Sequence, residues 1–159
     1  MNPAPLPEYI FVGGPDAEKF ADDIAKLIAD ALKVAEHAHR NILRKYSGEP
    51  YIVHPRAVAD SLPLSLRPLG LLHDVLEDNP EEYPESRLRE LFPPWIVDRL
   101  VILAHKADEP YDVYLARIKL DLASSLVKIR DLRDNLKDLK PGSLRDKYRL
   151  ALHFLGEIP

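Results

Sequence analysis

The 159-residue chain has no cysteine. That absence excludes disulfides, thiolate metal ligands and nucleophilic-thiol catalysis, and it fits a reducing compartment such as the cytoplasm. A basic excess is missing too: 22 Lys and Arg stand against 26 Asp and Glu, giving a net charge of -4. A general phosphate-backbone binder needs cations in excess to release counterions, so nucleic acid is not an expected partner. No stretch approaches the roughly 20 apolar residues of a membrane span. The first residues, MNPAPLPEYIFVGGP, have neither the basic start nor the long apolar core of an export signal. A small anionic ligand stays open, because a local cluster of cations or a metal ion can hold phosphates on an acidic protein. At 46% apolar residues and this length, the chain can bury a real core.

What the chain does have is proline, 15 residues of it, which punctuates a series of helical patterns. Residues 1–15 carry four prolines and a Gly-Gly pair around Tyr9-Ile10-Phe11-Val12 and read as an extended surface lead-in. From 16 to 46 apolar residues recur at three- and four-residue intervals (Phe20, Ile24, Leu27, Ile28, Ala31, Val34, Ala35, Ala38, Ile42), which predicts one long amphipathic helix. Ser47-Gly48-Glu49-Pro50 breaks it. Tyr51-Ile52-Val53 then leads extended into His54-Pro55, since a residue before proline is pushed out of helical geometry, and Pro55 suits the first turn of a new helix to 61. Further helices are expected at 69–78, 86–92, 95–105, 111–119, 121–139 and 144–156, closed by Asn79-Pro80, Asp108-Glu109-Pro110 and Pro141-Gly142. Outside 9–12 no run alternates with period two, so the expected fold class is all-α, a compact helical bundle.

One of these helices carries LGLLHDVLEDNP. Positions 73 and 77 are one turn apart, as are 74 and 78, so His73, Asp74, Glu77 and Asp78 share one sector, with Leu71, Leu72, Val75 and Leu76 opposite. Such a set needs a cation or protons to offset its repulsion, unless it is a solvated acidic stripe. His54, fixed at an extended-to-helix junction, is a rigid candidate ligand, although a lone histidine there is more often structural. Asp131 lies in SSLVKIRDLRDNLKDL among Lys128, Arg130, Arg133 and Asn135, a pattern that by itself describes a salt-bridged surface helix.

Three segments in order, SGEPYIVHP (47–55), LLHDVLED (71–78) and VKIRDLRDN (127–135), resemble the motifs of metal-dependent HD-domain phosphohydrolases, specifically the hydrolase domain of RelA/SpoT-type proteins and the small alarmone hydrolases. The resemblance covers roughly residues 20–155 and implies a single HD-type hydrolase domain over 16–159. It implies that His54, His73, Asp74 and Asp131 hold one divalent ion, with Mn2+ the family's usual ion and Fe2+ or Zn2+ compatible with the same donors. Glu77 and Asp78 become the hydrolytic pair that positions water and handles its proton. Arg44, Lys45, Ser47 and Tyr51 would flank the nucleotide, with one extra residue between Lys45 and Ser47, and Asn135 would touch the sugar. The implied reaction releases pyrophosphate from the 3′ position of guanosine tetra- or pentaphosphate.

The resemblance has departures. Arg130 and Asp134 stand where the family usually has alanine and histidine, and Asp138 stands where it often has threonine. A carboxylate at the nucleotide pocket disfavours a polyanion unless Arg130, Arg133 or Lys137 pairs with it. The same metal chemistry on another nucleotide or phosphate ester is therefore the alternative reading, with a regulatory nucleotide-binding module that has lost catalysis as the non-enzymatic one. The chain ends soon after its last helix, which leads to the expectation that no synthetase domain follows. That helix carries Tyr148, Leu152 and Phe154 on a stripe expected to close the core rather than pair subunits.

Overall fold

The three- and four-residue apolar spacing of the first long segment is realised as helix α1, Ala17–Ala38, which buries Ile24, Ala31, Ala35 and Ala38 along one face. The computed structural model describes residues 2–6 and 17–156; the expected extended run at 9–12 and the expected helix start at 16 lie outside them. α1 does not continue to 46. Beyond Ala38 the backbone makes a short hairpin: Arg44 N–H donates to Glu49 O at 2.8 Å, Tyr51 N–H to Ile42 O at 2.9 Å, and Leu43 and Pro50 form an antiparallel bridge. Gly48, at φ +75°, supplies the left-handed residue of its turn. Backbone pairing across this turn thus overrides the apolar residue at Ile42 that extends the helical pattern.

The remaining helices are α2 (Val53–Asp60), α3 (Arg67–Leu72), α4 (Val75–Asp78), α5 (Glu85–Leu91), α6 (Pro94–Leu103), α7 (Tyr111–Lys119), α8 (Leu122–Asp138) and α9 (Ser143–Leu155), with a 3-10 turn at Leu64–Leu66. The all-α class expected from the pattern holds, with no strand among the described residues. α3 is central and packs on α1, α2 and α6, while α8 packs on α2, α6, α7 and α9. Leu69 and Leu72 of α3 meet Leu88, Ile96, Leu100, Ile118 and Leu132 in the core. Each such side chain contributes about 1.5–3 kcal/mol through removal from water.

Two expectations are corrected near the site. His54 is not on an extended approach but in the first turn of α2, which begins at Val53. Its burial and a hydrogen bond from its ring to α8 outweigh the bias of a pre-proline residue against helical geometry. The helix expected over 69–78 is split: α3 ends at Leu72, His73 and Asp74 form a turn, and α4 resumes at Val75. His73 Nδ1 donates to Gly70 O at 2.8 Å, so an imidazole takes a carbonyl that a continuing helix would give to the backbone. On α9, Ala151 and Leu155 are buried and Tyr148 and Leu152 partly so, whereas Phe154 is exposed, with Lys119 Nζ 4.7 Å from its ring centroid.

The start of α8 is capped by a charged side chain. Asp121 accepts from Ser124 N–H and Ser124 Oγ, both at 2.8 Å, and starts α8. The buried Arg99 donates to both Asp121 oxygens at 3.0–3.1 Å and to Ala4 O, so one side chain ties α6, the cap of α8 and the 2–6 segment together. α2 and α3 approach closely at Gly70, where a Cβ would meet Leu62 Cδ1 at 2.7 Å and the Ala59 backbone at 2.9 Å. Gly70→Ala is expected to lower the unfolding free energy by about 1–3 kcal/mol, because forcing α2 away outweighs the helix-propensity gain. Urea denaturation measures this; an unchanged or raised midpoint would show that α2 yields without cost.

Candidate metal centre

α2, the α3–α4 turn and α8 bring His54, His73, Asp74 and Asp131 together. His54 Nδ1 donates to Asp134 Oδ2 at 2.8 Å and His73 Nδ1 to Gly70 O at 2.8 Å. A carbonyl and a carboxylate oxygen accept, so both Nδ1 atoms carry protons and both Nε2 atoms face inward. His54 Nε2 lies 3.2 Å from Asp131 Oδ1 and 3.6 Å from Asp74 Oδ2. His73 Nε2 lies 3.0 Å from Asp74 Oδ2 and 3.8 Å from Asp131 Oδ1. Both Nε2 atoms are shielded from solvent and lack a well-aligned hydrogen bond. His54, His73 and Asp74 offer ligand atoms within 4.8 Å of one another.

This geometry draws positive charge to the Nε2 atoms. Burial opposes a charge on His54, but Asp131 and Asp134 raise its pKa; burial opposes one on His73, and Asp74 with Asp131 raises its pKa well above the ordinary value. Burial likewise works against Asp74 and Asp131, yet His73 lowers the first, and Lys128 with the two histidines lowers the second. Two imidazoles whose Nδ1 atoms are already bonded, together with two carboxylates, are a donor set that fits a divalent transition ion.

A surrounding layer holds these four groups in place. Lys128 Nζ sits 2.7 Å from Asp131 Oδ2, Asn135 Nδ2 donates to Asp131 Oδ1 at 2.5 Å, and Tyr51 Oη donates to Asp74 Oδ2 at 2.6 Å. Asp134 accepts from His54, from Arg44 Nη1 at 2.6 Å and from Lys137 at 2.8 Å. Burial disfavours its charge, but these three donors hold its pKa below the ordinary carboxylate range.

Glu77 and Asp78 lie outside this cluster on α4, Glu77 exposed and the Asp78 side chain only one-third exposed. Glu77 Oε2 accepts from His105 N–H at 3.0 Å. That loop is itself fixed by Arg117, which donates to Val101 O, Ile102 O and Ala104 O at the end of α6 and pairs with both oxygens of Glu109 at 2.6–3.0 Å. Asp78 Oδ2 is 3.8 Å from Nδ1 of the buried His39. Burial, then the nearby charges of Asp74 and Glu77, push the Asp78 carboxyl up to about 7.

Of the expected nucleotide contacts, Arg44, Lys45, Tyr51 and Asn135 line one cavity of about 120 Å³ beside the cluster. Ser47 is exposed in the hairpin, where its Oγ accepts weakly from Glu49 N–H at 3.4 Å. Lys137 pairs with Asp134, as the charge argument required, and Arg44 does so as well. Lys128 is readable only as a member of a charged helix and Asp134 only as a departure from the family pattern, although their three-residue spacing from Asp131 places them beside it. His39 and His105 had no such signal. His39 is buried with neither ring nitrogen hydrogen-bonded, and burial lowers its pKa to about 4.

The raised Asp78 pKa has a sign that can be tested. Between the unfolded carboxylate value near 4 and the folded value near 7, the folded state binds a proton that the unfolded state does not. Stability from this group is therefore present below that window and lost as pH rises through it. Asp78→Asn is expected to flatten the fall in unfolding free energy from pH 4 to 8 in chelator-treated protein. An identical pH slope in the variant would refute the shift.

No protein-family model matches the chain. An alignment of 146 residues gives 34% identity to the bifunctional (p)ppGpp synthase/hydrolase SpoT of Escherichia coli K12, covering 80% of this chain and 20% of SpoT. Over 134 residues it is 35% identical to the guanosine-3′,5′-bis(diphosphate) 3′-pyrophosphohydrolase of Haemophilus influenzae, covering 73% of this chain and 19% of that enzyme. The chain thus spans about a fifth of the length of these relatives. Among solved structures it is similar to a metazoan SpoT orthologue that hydrolyses ppGpp, with a TM-score of 0.66, 21% identity and coverage of 81% of this chain and 83% of the other. At that identity the likeness is one of fold.

Proposed function

We propose that this chain, which belongs to the RelA/SpoT-type hydrolase family by its sequence relatives, is a metal-dependent nucleotide phosphohydrolase that releases pyrophosphate from the 3′ position of guanosine tetra- or pentaphosphate. The observation that carries the reading is the convergence of two Nδ1-bonded imidazoles, through Nε2 atoms that lack a well-aligned hydrogen bond, on Asp74 and Asp131. His54, His73, Asp74 and Asp131 would hold one divalent ion, with manganese proposed on the family resemblance. When bound, that ion supplies Lewis-acid polarisation of a phosphoryl oxygen and makes a water more acidic.

The chain's own residues do the rest. Glu77, tethered through one oxygen to His105 N–H, keeps its other oxygen to orient water at the mouth of the site. Asp78, with a pKa near 7, can take up and return a proton at neutral pH, where a general base works best. Water oxygen attacks phosphorus, the bond to the sugar 3′ oxygen breaks, and the leaving oxygen is protonated. Asn135 and Tyr51, which bond Asp131 and Asp74 and also line the adjacent cavity, link ligand orientation to nucleotide binding. The lack of cysteine and of any membrane-length apolar helix among the described residues supports a cytoplasmic setting. A second reading, the same chemistry on another nucleotide ester, is favoured by the carboxylates Asp134 and Asp138 around Arg44.

Turnover of a nucleotide panel by manganese-loaded protein tests the substrate. Release of pyrophosphate from guanosine 3′,5′-bis(diphosphate) is the expected result, and cleavage of a different ester alone would select the second reading. Glu77→Gln is expected to lower kcat by about 10²–10⁴-fold at unchanged metal content. Asp134→Ala should weaken metal binding by about 10–100-fold, measured by calorimetric titration of chelator-treated protein. If metal content and turnover are both unaffected by Asp131→Asn, the site has been misassigned.

A further inference from the structure

His39 is a buried imidazole with nothing to bond. Its side chain is closed off from solvent, and neither ring nitrogen has a hydrogen-bond partner among the described residues. An unsatisfied buried polar atom costs about 1–3 kcal/mol, and a leucine or phenylalanine would fill the same slot without that cost. The ring is nonetheless firmly held. His39 N–H donates to Ala35 O at 3.0 Å at the end of α1, and His39 O accepts from Ile42 N–H at 3.1 Å at the entry to the hairpin. The imidazole lies against the Tyr51 ring, with centroids 4.8 Å apart.

The ring faces Asp78. His39 Nδ1 lies 3.8 Å from Asp78 Oδ2, just outside hydrogen-bond reach. The two backbones are tied together, since Asn79, next after Asp78, donates from Nδ2 to the carbonyl of Ala38, next before His39, at 3.4 Å. The carboxylate is therefore the part that moves: its side chain is a third exposed, and the terminal torsion of an aspartate is broad. Closing the gap to about 3 Å asks for a displacement of less than about 1 Å. Burial keeps the imidazole neutral, with its pKa lowered to about 4, so the ring carries one N–H and donates without bringing a charge. The Tyr51 hydroxyl, bonded to Asp74, also favours the ionised form of Asp78.

Resting on the reading of Asp78 as the group that takes up and returns the proton, we infer that His39 is a positioning residue for the hydrolysis: its Nδ1–H holds Asp78 Oδ2 and leaves Oδ1 directed at the attacking water. His39 is not among the residues that line the adjacent cavity, and it acts through Asp78 alone. Without that bond the half-exposed end of the carboxylate turns into solvent. Misplacing a reacting group by about 1 Å costs about 10²-fold in rate. Affinity for the nucleotide and for the ion is left as it was, because His39 bonds neither.

Turnover of guanosine 3′,5′-bis(diphosphate) by the manganese-loaded chain gives one readout. His39→Phe keeps a ring against Tyr51, and His39→Gln places its amide nitrogen at the Nε2 position. Each is expected to lower kcat by about 10–100-fold, with KM and metal content within about twofold of the parent. His39→Asn, whose amide nitrogen takes the place of Nδ1, should keep kcat within about fivefold of the parent. If the Phe variant melts early, the Gln and Asn pair carries the comparison. In protein already carrying Asp78→Ala, His39→Gln should cost nothing further, because the group it positions is gone. An additive loss there, a loss confined to KM or metal content, rescue by Gln instead of Asn, or an unchanged kcat would overturn the inference. The other readout needs no reaction: two-bond 1H–15N NMR of the protein loaded with diamagnetic zinc should find the His39 ring proton on Nδ1, at a resonance that moves in Asp78→Ala. A proton on Nε2, or a resonance indifferent to Asp78→Ala, would equally overturn it. A chain that shows the expected spectrum but no turnover of the bis(diphosphate) keeps the His39–Asp78 bond and loses the hydrolysis reading, so the two failures are told apart.

Discussion

Two hydrogen bonds donated by imidazole Nδ1 atoms set the direction of the whole site. His54 gives its proton to Asp134 on α8, and His73 gives its proton to Gly70 at the end of α3. Each bond fixes a ring plane and leaves the opposite nitrogen's lone pair aimed at the same small volume. Bringing Asp74 and Asp131 to that volume is electrostatically expensive unless the charge is answered from every side. Lys128 answers it at the outer Asp131 oxygen, while Tyr51 and Asn135 each donate to the carboxylate oxygen that faces the imidazoles.

Packing serves the same end. Gly70 lets α3 lie against the Ala59 backbone of α2, and its carbonyl is also the one that orients His73. Fold stability and ring orientation therefore meet at one residue without a side chain. Arg99 and Arg117 play the corresponding part at α6 and its C-terminal end, each spending several donors on backbone carbonyls or a carboxylate so that a loop or helix start keeps its position. For the buried Arg99, full pairing rather than a favourable isolated ion pair justifies the burial.

Much of the architecture was legible because its helices are amphipathic and bounded by proline or glycine. The element at 111–119 was read to the residue, and those at 122–138 and 143–155 to within one residue at each end. The errors fall where a polar contact overrides periodicity. Ile42 extends the apolar pattern, yet backbone pairing across Gly48 turns the chain, and the imidazole of His73 interrupts a helix that its neighbours would continue. For the site, the ordered motifs brought out His54, His73, Asp74 and Asp131, which the structure brings within reach of one another. Asp134 was read only as a departure, because a sequence shows its charge but not that an imidazole and two cations lie around it. Ser47 was carried over by motif position, and the hairpin leaves it at the surface.

The hairpin over residues 42–51 also separates what can vary from what cannot. Its backbone is closed at the base by Tyr51 N–H to Ile42 O and nearer the tip by Arg44 N–H to Glu49 O. Tyr46, the extra residue beside the expected nucleotide contacts, sits in the turn beyond both bonds and lines the cavity. A length change there is absorbed in solvent, where closing a slightly longer loop costs little. Arg44 and Tyr51 keep their places on Asp134 and Asp74. Selectivity can thus diverge through one short turn while the reacting centre stays constant, so related chains with equal chemistry need not share a preferred nucleotide.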